Sequence, residues 1–143
     1  MAATRSRKEY LKYERHLATV QPGLCAFCAI EAGSDQLIKE TKHFKIIYNI
    51  FPYSLWDGQR VVEHLMVAPQ THTDTLSALN DKQKAEYVDI LQEYESNGYN
   101  IYARAPVSKI KSIAHQHTHL IKTEGAARRF LLLLRKPYFR IVS

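Results

Sequence analysis

The chain reads His115-Gln116-His117-Thr118-His119-Leu120-Ile121 in its second half. The three histidines are two residues apart and lead directly into an apolar pair. On a β-strand, successive side chains alternate between the two faces and advance about 3.3 Å per residue. The imidazoles then line one face about 6.6 Å apart, with the Gln and Thr side chains on the other face. The spacing therefore predicts a strand that presents a row of histidines.

Such a row is typical of either a metal site or a catalytic site that handles anions. Three histidine ligands would resemble catalytic zinc. Three successive outward positions on one straight strand converge poorly on a single ion, however, whereas they can follow an extended phosphate chain. An expression tag does not fit, because the run is internal and flanked by Ile113 and Leu120. We favour the catalytic interpretation.

The bulk composition is that of an ordinary globular protein. With 143 residues, 45% of them hydrophobic and 24% charged, the chain fits one domain with a hydrophobic core. No stretch approaches the roughly 18 apolar residues of a membrane span. Residues 1–19 are also too charged for a secretory signal. We therefore expect a cytoplasmic protein with no membrane partner and with two reduced cysteines.

The formal net charge of +6 favours anionic ligands. Nucleic acid is one such ligand and a nucleotide is another. The basic residues are scattered among acidic ones, and no nucleic-acid-binding motif is present. Most of the positive charge is therefore expected on a solvated surface, and the charge supports a nucleotide more than a nucleic acid.

Hydrophobic periodicity predicts an α+β fold. Apolar residues at helical spacing indicate an amphipathic helix over residues 4–19 and a longer helix over 80–97, capped by Asn80 and ended by Asn97-Gly98. Strand-like runs of β-branched and apolar residues occupy 44–48, 60–68, 99–104, 113–122, 129–134 and 138–142. Together they predict an antiparallel sheet of about five strands with one principal helix, an extra N-terminal helix and a strand-like C-terminal tail.

Three further motifs precede the histidines: Cys25-Ala26-Phe27-Cys28, Asn49-Ile50-Phe51-Pro52-Tyr53 and Glu63-His64-Leu65-Met66-Val67-Ala68-Pro69-Gln70-Thr71-His72. In this order, and together with residues 115–121, they resemble the motifs of the histidine-triad (HIT) family of nucleotide hydrolases and transferases. The likeness covers residues 24–122. It implies a single HIT-like domain over 1–143, with a helical extension (1–23), a HIT core (24–122) and a tail (123–143). It also implies a homodimer in which two sheets join edge to edge.

The resemblance implies the catalytic residues His115, His117 and His119. His117 stands at the position of the nucleophile, which attacks the α-phosphorus of a nucleoside phosphate derivative before water releases the nucleoside monophosphate. A backbone carbonyl of the same segment holds the proton on its other ring nitrogen, and no metal is needed. His119 stands where a ring contacts the phosphoryl oxygens or the leaving group. The implied substrate is a purine nucleotide, as a dinucleoside polyphosphate or a phosphoramidate.

Four residues are expected to bind the substrate. Asn49 matches the ribose-binding position, although an Asn before Phe51-Pro52 is also typical of a turn. Ser112 matches a phosphate-contacting position. The family's Gly-Gln pair before it is replaced here by Ile110-Lys111. Lys111 and Arg104 can bind a longer polyphosphate or an acidic leaving group, or they are solubilising charges.

A structural zinc site is also implied by the resemblance. Some HIT proteins bind zinc through a CxxC motif and two histidines, and this chain has Cys25, Cys28, His72 and His115 at those positions. Four protein ligands would leave no open position for water, so the metal would be structural. Two ordinary buried cysteines remain the alternative. A redox CxxC motif fits less well, because the sequence lacks the strand-to-helix setting with a Trp before the first Cys.

Three hypotheses from different classes follow. The leading one is a HIT-type nucleotidyl hydrolase or transferase. The second is a nucleotide-binding sensor with weak turnover, which the missing Gly-Gln pair suggests. The third is a zinc-stabilised nucleic-acid-binding domain, which the net charge suggests.

Overall fold

A computed structural model describes residues 5–19 and 23–127, together with the strand residues 131–135 and 138–142. The main sheet is antiparallel and consists of β1 (Leu37–Glu40), β2 (Phe44–Tyr48), β3 (Leu55–Trp56), β4 (Gln59–Pro69), β5 (Tyr99–Ala103) and β6 (Thr118–Glu124). The strand order is β1-β2-β4-β6-β5, with β3 paired to β4. Two helices accompany the sheet, α1 (Arg7–Thr19) and α2 (Asp81–Ser96). The predicted α+β class is confirmed.

The two faces of the sheet bury different residues because side chains alternate along each strand. One face carries a core that α2 covers, formed by Phe44, Ile46, Leu65, Val67 and Leu120 together with Leu79 and Ile90. The other face carries Ile47, Met66 and Ala68, which pack against Phe27 and Ile30 from the segment before β1. Met66 is the register partner of His119. The second face is therefore the one that presents histidine.

The ends of α2 follow from local sequence. The side chain of Asn80 accepts a hydrogen bond from the backbone N–H of Gln83, and the Gln83 side chain accepts one from the Asn80 N–H, which completes a capping box. At the other end Gly98 has φ +83°, a conformation that favours glycine. The helix predicted over residues 80–97 is thus confirmed.

A tight hairpin joins β3 to β4. Asp57 and Gly58 form its turn with φ angles of 47° and 77°, as a two-residue hairpin loop with positive φ at both positions requires. The strand β3 was not predicted, because only two residues pair before the turn. The pairing of β3 with β4 fixes the position of Trp56 in the connection between β2 and β4.

The strand predicted over residues 113–122 is shorter in the structure. β6 begins at Thr118, so His115 and His117 lie in the segment before it. The backbone groups of that segment bond elsewhere: the Gln116 N–H donates to the Thr73 carbonyl at 2.6 Å. The His115 carbonyl accepts a hydrogen bond from the His117 ring at 2.9 Å. Of the three histidines, only His119 is on the strand.

Other boundaries differ by a few residues. α1 begins at Arg7 rather than residue 4, and residue 4 lies outside the described part of the chain. The predicted C-terminal strands are present as β7 (Leu131–Arg135) and β8 (Tyr138–Val142), which pair with each other, while residues 129 and 130 are outside the description. β1 was missed because its Leu-Ile-Lys-Glu sequence does not alternate.

The sequence also leads to expectations about a dimer and about a membrane span. β1 and β5 are the edges of the main sheet, so a strand is available on either side for the edge-to-edge dimer, which stays a prediction. Within the described residues, neither helix has the length and apolar character that crossing a bilayer requires.

We predict that Tyr87→Phe lowers the free energy of unfolding by about 1 kcal/mol. The Tyr87 hydroxyl of α2 lies 2.5 Å from the hydroxyl of Thr118, which is buried on the strand that carries His119, so the variant leaves that hydroxyl without its partner. Urea denaturation measures the loss. Tyr94→Phe is the matched control, because no described residue forms a hydrogen bond with the Tyr94 hydroxyl; equal losses in both variants would contradict the prediction.

Candidate functional site

A cleft of about 640 Å³ opens on the histidine-bearing face of the sheet. Its walls come from α1, the segment 23–30, residues 49–53 and residues 110–119. The three predicted catalytic histidines all line this cleft, and each is almost entirely buried in the fold. The structure therefore brings them to one place, although only one of them is on a strand.

His117 has one ring nitrogen engaged and one available. Its Nδ1 lies 2.9 Å from the His115 carbonyl, which can only accept, so Nδ1 carries the proton and donates. The other nitrogen, Nε2, then has a free lone pair. Burial lowers the pKa of His117 below its usual value, helped by the nearby charges of Lys111 and Arg104 and opposed by the bond to the carbonyl. A neutral imidazole in this geometry has the free lone pair that a nucleophile requires.

His119 is oriented by a chain of hydrogen bonds. The Tyr53 backbone N–H donates to His64 Nδ1 at 3.1 Å, so the proton of His64 is on Nε2. That Nε2 lies 2.9 Å from His119 Nδ1 and donates to it. His119 therefore carries its own proton on Nε2. The chain begins at a backbone amide, whose proton is fixed, and this sets both tautomers.

Both rings of this pair are held neutral. Burial lowers the pKa of His64 to about 3, and the charge of Arg5 acts in the same direction. Burial also depresses the pKa of His119 far below its usual value, with contributions from His64 and Arg104. His119 thus presents a neutral N–H donor to a ligand in the cleft.

His64 was not among the predicted site residues. The structure places it in contact with His119, because His64 lies two residues before Met66, the register partner of His119. The signal in the sequence is its spacing of two residues from Met66, which puts both side chains on one face of β4. The spacing does not show which strand pairs with β4 at this position, so it could not predict the contact with His119.

Asn49 lines the cleft, but its amide is engaged locally. Its Oδ1 accepts a hydrogen bond from the Phe51 N–H at 2.9 Å, which is the turn geometry considered for it above. Its Nδ2 lies 3.3 Å from the unprotonated Nδ1 of His64 and donates to it. The side chain is thus fixed in place beside the histidines, and Oδ1 keeps a second lone pair.

The other three predicted substrate contacts also line the cleft. Lys111 donates from Nζ to the side chain of Gln116 at 2.9 Å and to the Asp74 carbonyl at 3.3 Å. Arg104 donates to the Tyr53 hydroxyl at 3.4 Å. Ser112 is exposed at the cleft rim. All four predicted substrate-binding residues therefore line the same cleft. Lys111 is bonded to Gln116, which lies between His115 and His117.

The four predicted metal ligands converge at one end of the same cleft. One ligand atom from each of Cys25, Cys28, His72 and His115 lies within 4.8 Å of all the others. Cys25 Sγ and His115 Nδ1 are 3.3 Å apart, as are Cys28 Sγ and His72 Nδ1. Zinc–sulfur and zinc–nitrogen bonds at a tetrahedral angle place S and N about 3.5 Å apart. The residues fit a tetrahedral Cys₂His₂ metal site.

A backbone group orients the shared histidine of this cluster. His115 Nε2 lies 3.0 Å from the Pro69 carbonyl at the end of β4 and therefore donates to it. The lone pair of Nδ1 then points to the thiols, as a metal ligand requires. The same residue offers its carbonyl to His117. The metal cluster and the candidate nucleophile are thus joined through one residue.

Comparisons with known proteins give structural matches only. No family model and no curated protein matches the sequence. A HIT family hydrolase from Legionella pneumophila Philadelphia 1 matches with a TM-score of 0.54 at 21% identity, over 71% of this chain and 95% of the other. A zinc-bound histidine triad family protein from Mycobacterium smegmatis has a TM-score of 0.54 at 25% identity, over 70% and 75%.

A histidine triad nucleotide-binding protein from Candida albicans is similar as well. Its TM-score is 0.50 at 22% identity, over 71% of this chain and 76% of the other. At sequence identities this low, structural similarity supports the fold alone. These matches confirm the predicted HIT-like sheet with its principal helix. The chain has the fold of the histidine-triad family.

Proposed function

We propose that this chain is a nucleotidyl hydrolase or transferase that acts on the α-phosphate of a nucleoside phosphate derivative. The observation that carries the proposal is the hydrogen bond from His117 Nδ1 to the His115 carbonyl, which leaves Nε2 as a lone-pair donor in the cleft. The likeness to a HIT family hydrolase and to a histidine triad nucleotide-binding protein supports a nucleotide as the ligand.

The proposed reaction has two steps. In the first, the lone pair of His117 Nε2 forms a bond to the α-phosphorus, and the bond from phosphorus to the leaving group breaks with its electron pair on the leaving atom. The ring is then positive, and the His115 carbonyl stabilises it by accepting the Nδ1 proton in a hydrogen bond. In the second step a water oxygen bonds to phosphorus, the nitrogen–phosphorus bond breaks, and a proton and the nucleoside monophosphate are released.

His119 acts by hydrogen bonding in this scheme. Its Nε2 proton is left free by the chain from Tyr53 through His64, so it can donate to an oxygen on which charge develops. The ring lies with its centre 5.0 Å from that of His117, close enough for both to contact one phosphoryl group. This N–H donor would stabilise the transition state while His119 itself stays neutral.

We predict that His117→Ala reduces hydrolysis of an adenosine phosphoramidate or dinucleoside polyphosphate by at least about 10³-fold, because the nucleophile is lost. Nucleotide binding, measured by calorimetry, should remain. His43→Gln is a matched control, since His43 pairs with Glu86 of α2 away from the cleft. Wild-type turnover in His117→Ala would contradict the assignment, and a wild type that binds nucleotide without turnover would favour the sensor.

We propose that Asn49 contacts the ribose through the free lone pair of Oδ1. Its position is fixed by hydrogen bonds with the Phe51 N–H and with His64 Nδ1, so little side-chain entropy is lost on binding. Asn49→Ala should weaken binding of adenosine monophosphate by about 1 kcal/mol. The wild type should bind the 2′,3′-dideoxy analogue correspondingly more weakly, and the variant should not distinguish the two. A wild type that binds both equally would exclude the ribose contact.

We propose that the Cys₂His₂ cluster holds one structural zinc ion. The donor set and the S–N distances fit tetrahedral zinc, and the likeness to a zinc-bound histidine triad protein supports it. Such an ion would fasten the segment of Cys25 and Cys28 to His72 and to the histidine segment. It would thereby stabilise the position of His117 through the His115 carbonyl.

We predict one zinc per chain in protein purified without a metal column, measured by elemental analysis. The Cys25→Ser, Cys28→Ser variant should lose the metal, and its melting temperature should fall to that of chelator-treated wild type, because metal binding contributes folding free energy. His43→Gln, which removes an imidazole outside the cluster, should keep the zinc. A metal-free wild type whose melting temperature ignores chelator would leave the thiols as ordinary cysteines.

A further inference from the structure

The N-terminal segment forms one wall of the cleft. The Ser6 backbone N–H donates to the Ser54 hydroxyl at 2.7 Å, and Arg5 Nε donates to the Phe51 carbonyl at 3.0 Å. The rings of Tyr13 and His16 from α1 contact the Phe51 ring with centres 5.5 Å and 4.8 Å apart. These contacts place α1 beside the histidines, although the sequence itself predicts no function for this helix.

Two guanidinium groups meet at Tyr53. The guanidinium carbon of Arg5 lies 4.9 Å from the centre of the Tyr53 ring, and Arg104 donates to the hydroxyl of the same ring at 3.4 Å. The Tyr53 ring in turn lies 5.7 Å from the ring of His119. The Tyr53 ring therefore lies between the two cations and His119. The His119 ring in turn contacts the ring of His117.

Among the described residues, these two positive charges have no negative partner. The lining of the cleft, as far as the structure describes it, includes Arg5, Arg104 and Lys111 but no Asp or Glu. In the described part of the chain neither arginine is in an ion pair with a carboxylate. Holding two like charges against one tyrosine costs free energy unless an anion lies between them. The arrangement is suited to a ligand that supplies its own negative charge.

We propose that Arg5 and Arg104 form a binding site for a phosphate group of the leaving group, adjacent to the α-phosphate that His117 attacks. This deepens the proposed function, on which it rests, by selecting substrates whose leaving group is itself a phosphate. Arginine suits this role because its fork of N–H donors matches phosphate oxygens. The N-terminal extension would thus determine leaving-group specificity.

The chemistry of departure agrees with this selection. When the bridging phosphorus–oxygen bond breaks, its electron pair stays on the oxygen of the departing phosphate, which leaves as an anion and needs no proton. An amine leaving group must instead gain a proton at its nitrogen. Because burial holds His119 neutral, with its pKa far below the usual value, that ring is a poor acid near pH 7. A phosphate leaving group that is stabilised by two guanidinium groups needs no such proton donor.

The test compares two substrates and two ligands across matched variants. Values of kcat/KM are measured for diadenosine triphosphate and for adenosine 5′-phosphoramidate, and dissociation constants are measured for ADP and AMP. We expect Arg5→Gln and Arg104→Gln to lower kcat/KM for the triphosphate at least about tenfold more than for the phosphoramidate, the effect of one charge-assisted hydrogen bond. Arg7→Gln removes the same charge from an exposed position of α1 and should change neither value.

The binding measurement stands without turnover. The wild type should bind ADP about tenfold more tightly than AMP, and Arg5→Gln should reduce that preference, while Arg5→Lys should restore part of it because the charge remains. Equal losses for both substrates, or an unchanged ADP preference in Arg5→Gln, would overturn the leaving-group site and leave the proposed function intact. Absence of turnover in the wild type, with the ADP preference present and dependent on Arg5, would overturn the hydrolase alone.

Discussion

His115 makes three connections on which the rest of the site depends. Its Nε2 donates to the Pro69 carbonyl, its Nδ1 lies among the thiols of Cys25 and Cys28, and its own carbonyl fixes the proton of His117. A single buried residue therefore ties the end of β4, the metal cluster and the candidate nucleophile together. Because all three bonds draw on different atoms, none competes with another. The late start of β6 at Thr118 is a consequence, since the segment before it bonds to these groups instead of to the neighbouring strands.

Burying four histidines near one another is costly unless each ring is neutral and hydrogen-bonded. The structure meets that condition, since no buried side-chain nitrogen or oxygen among the described residues lacks a partner. Each tautomer is fixed by a backbone group at one end, either a carbonyl that can only accept or an amide that can only donate. Pre-set tautomers matter for catalysis because a donor and a lone pair are then in place before the substrate arrives.

Local patterns predicted the local parts of this molecule. The helix of residues 81–96 has a capping box at Asn80 and a glycine after its end, and both signals act within a few residues. The metal ligands were predicted by an ordered resemblance, whose fold the structural comparisons confirm. The contact of His64 with His119 joins residues 55 positions apart, and the contact of Arg5 with Tyr53 joins the N-terminal segment to the residues after β2. Such contacts depend on strand order and on how α1 docks, which neither periodicity nor spacing determines.

α1 borders the cleft without adding to the hydrophobic core. It contributes no buried residue, and the segment that leads into it contacts Phe51, Ser54 and the Tyr53 ring. An anion bound between Arg5 and Arg104, as proposed, would join the segment before α1 to the end of β5, and its binding free energy would add to the stability of that arrangement. The charge that selects the substrate would therefore also stabilise this wall of the cleft.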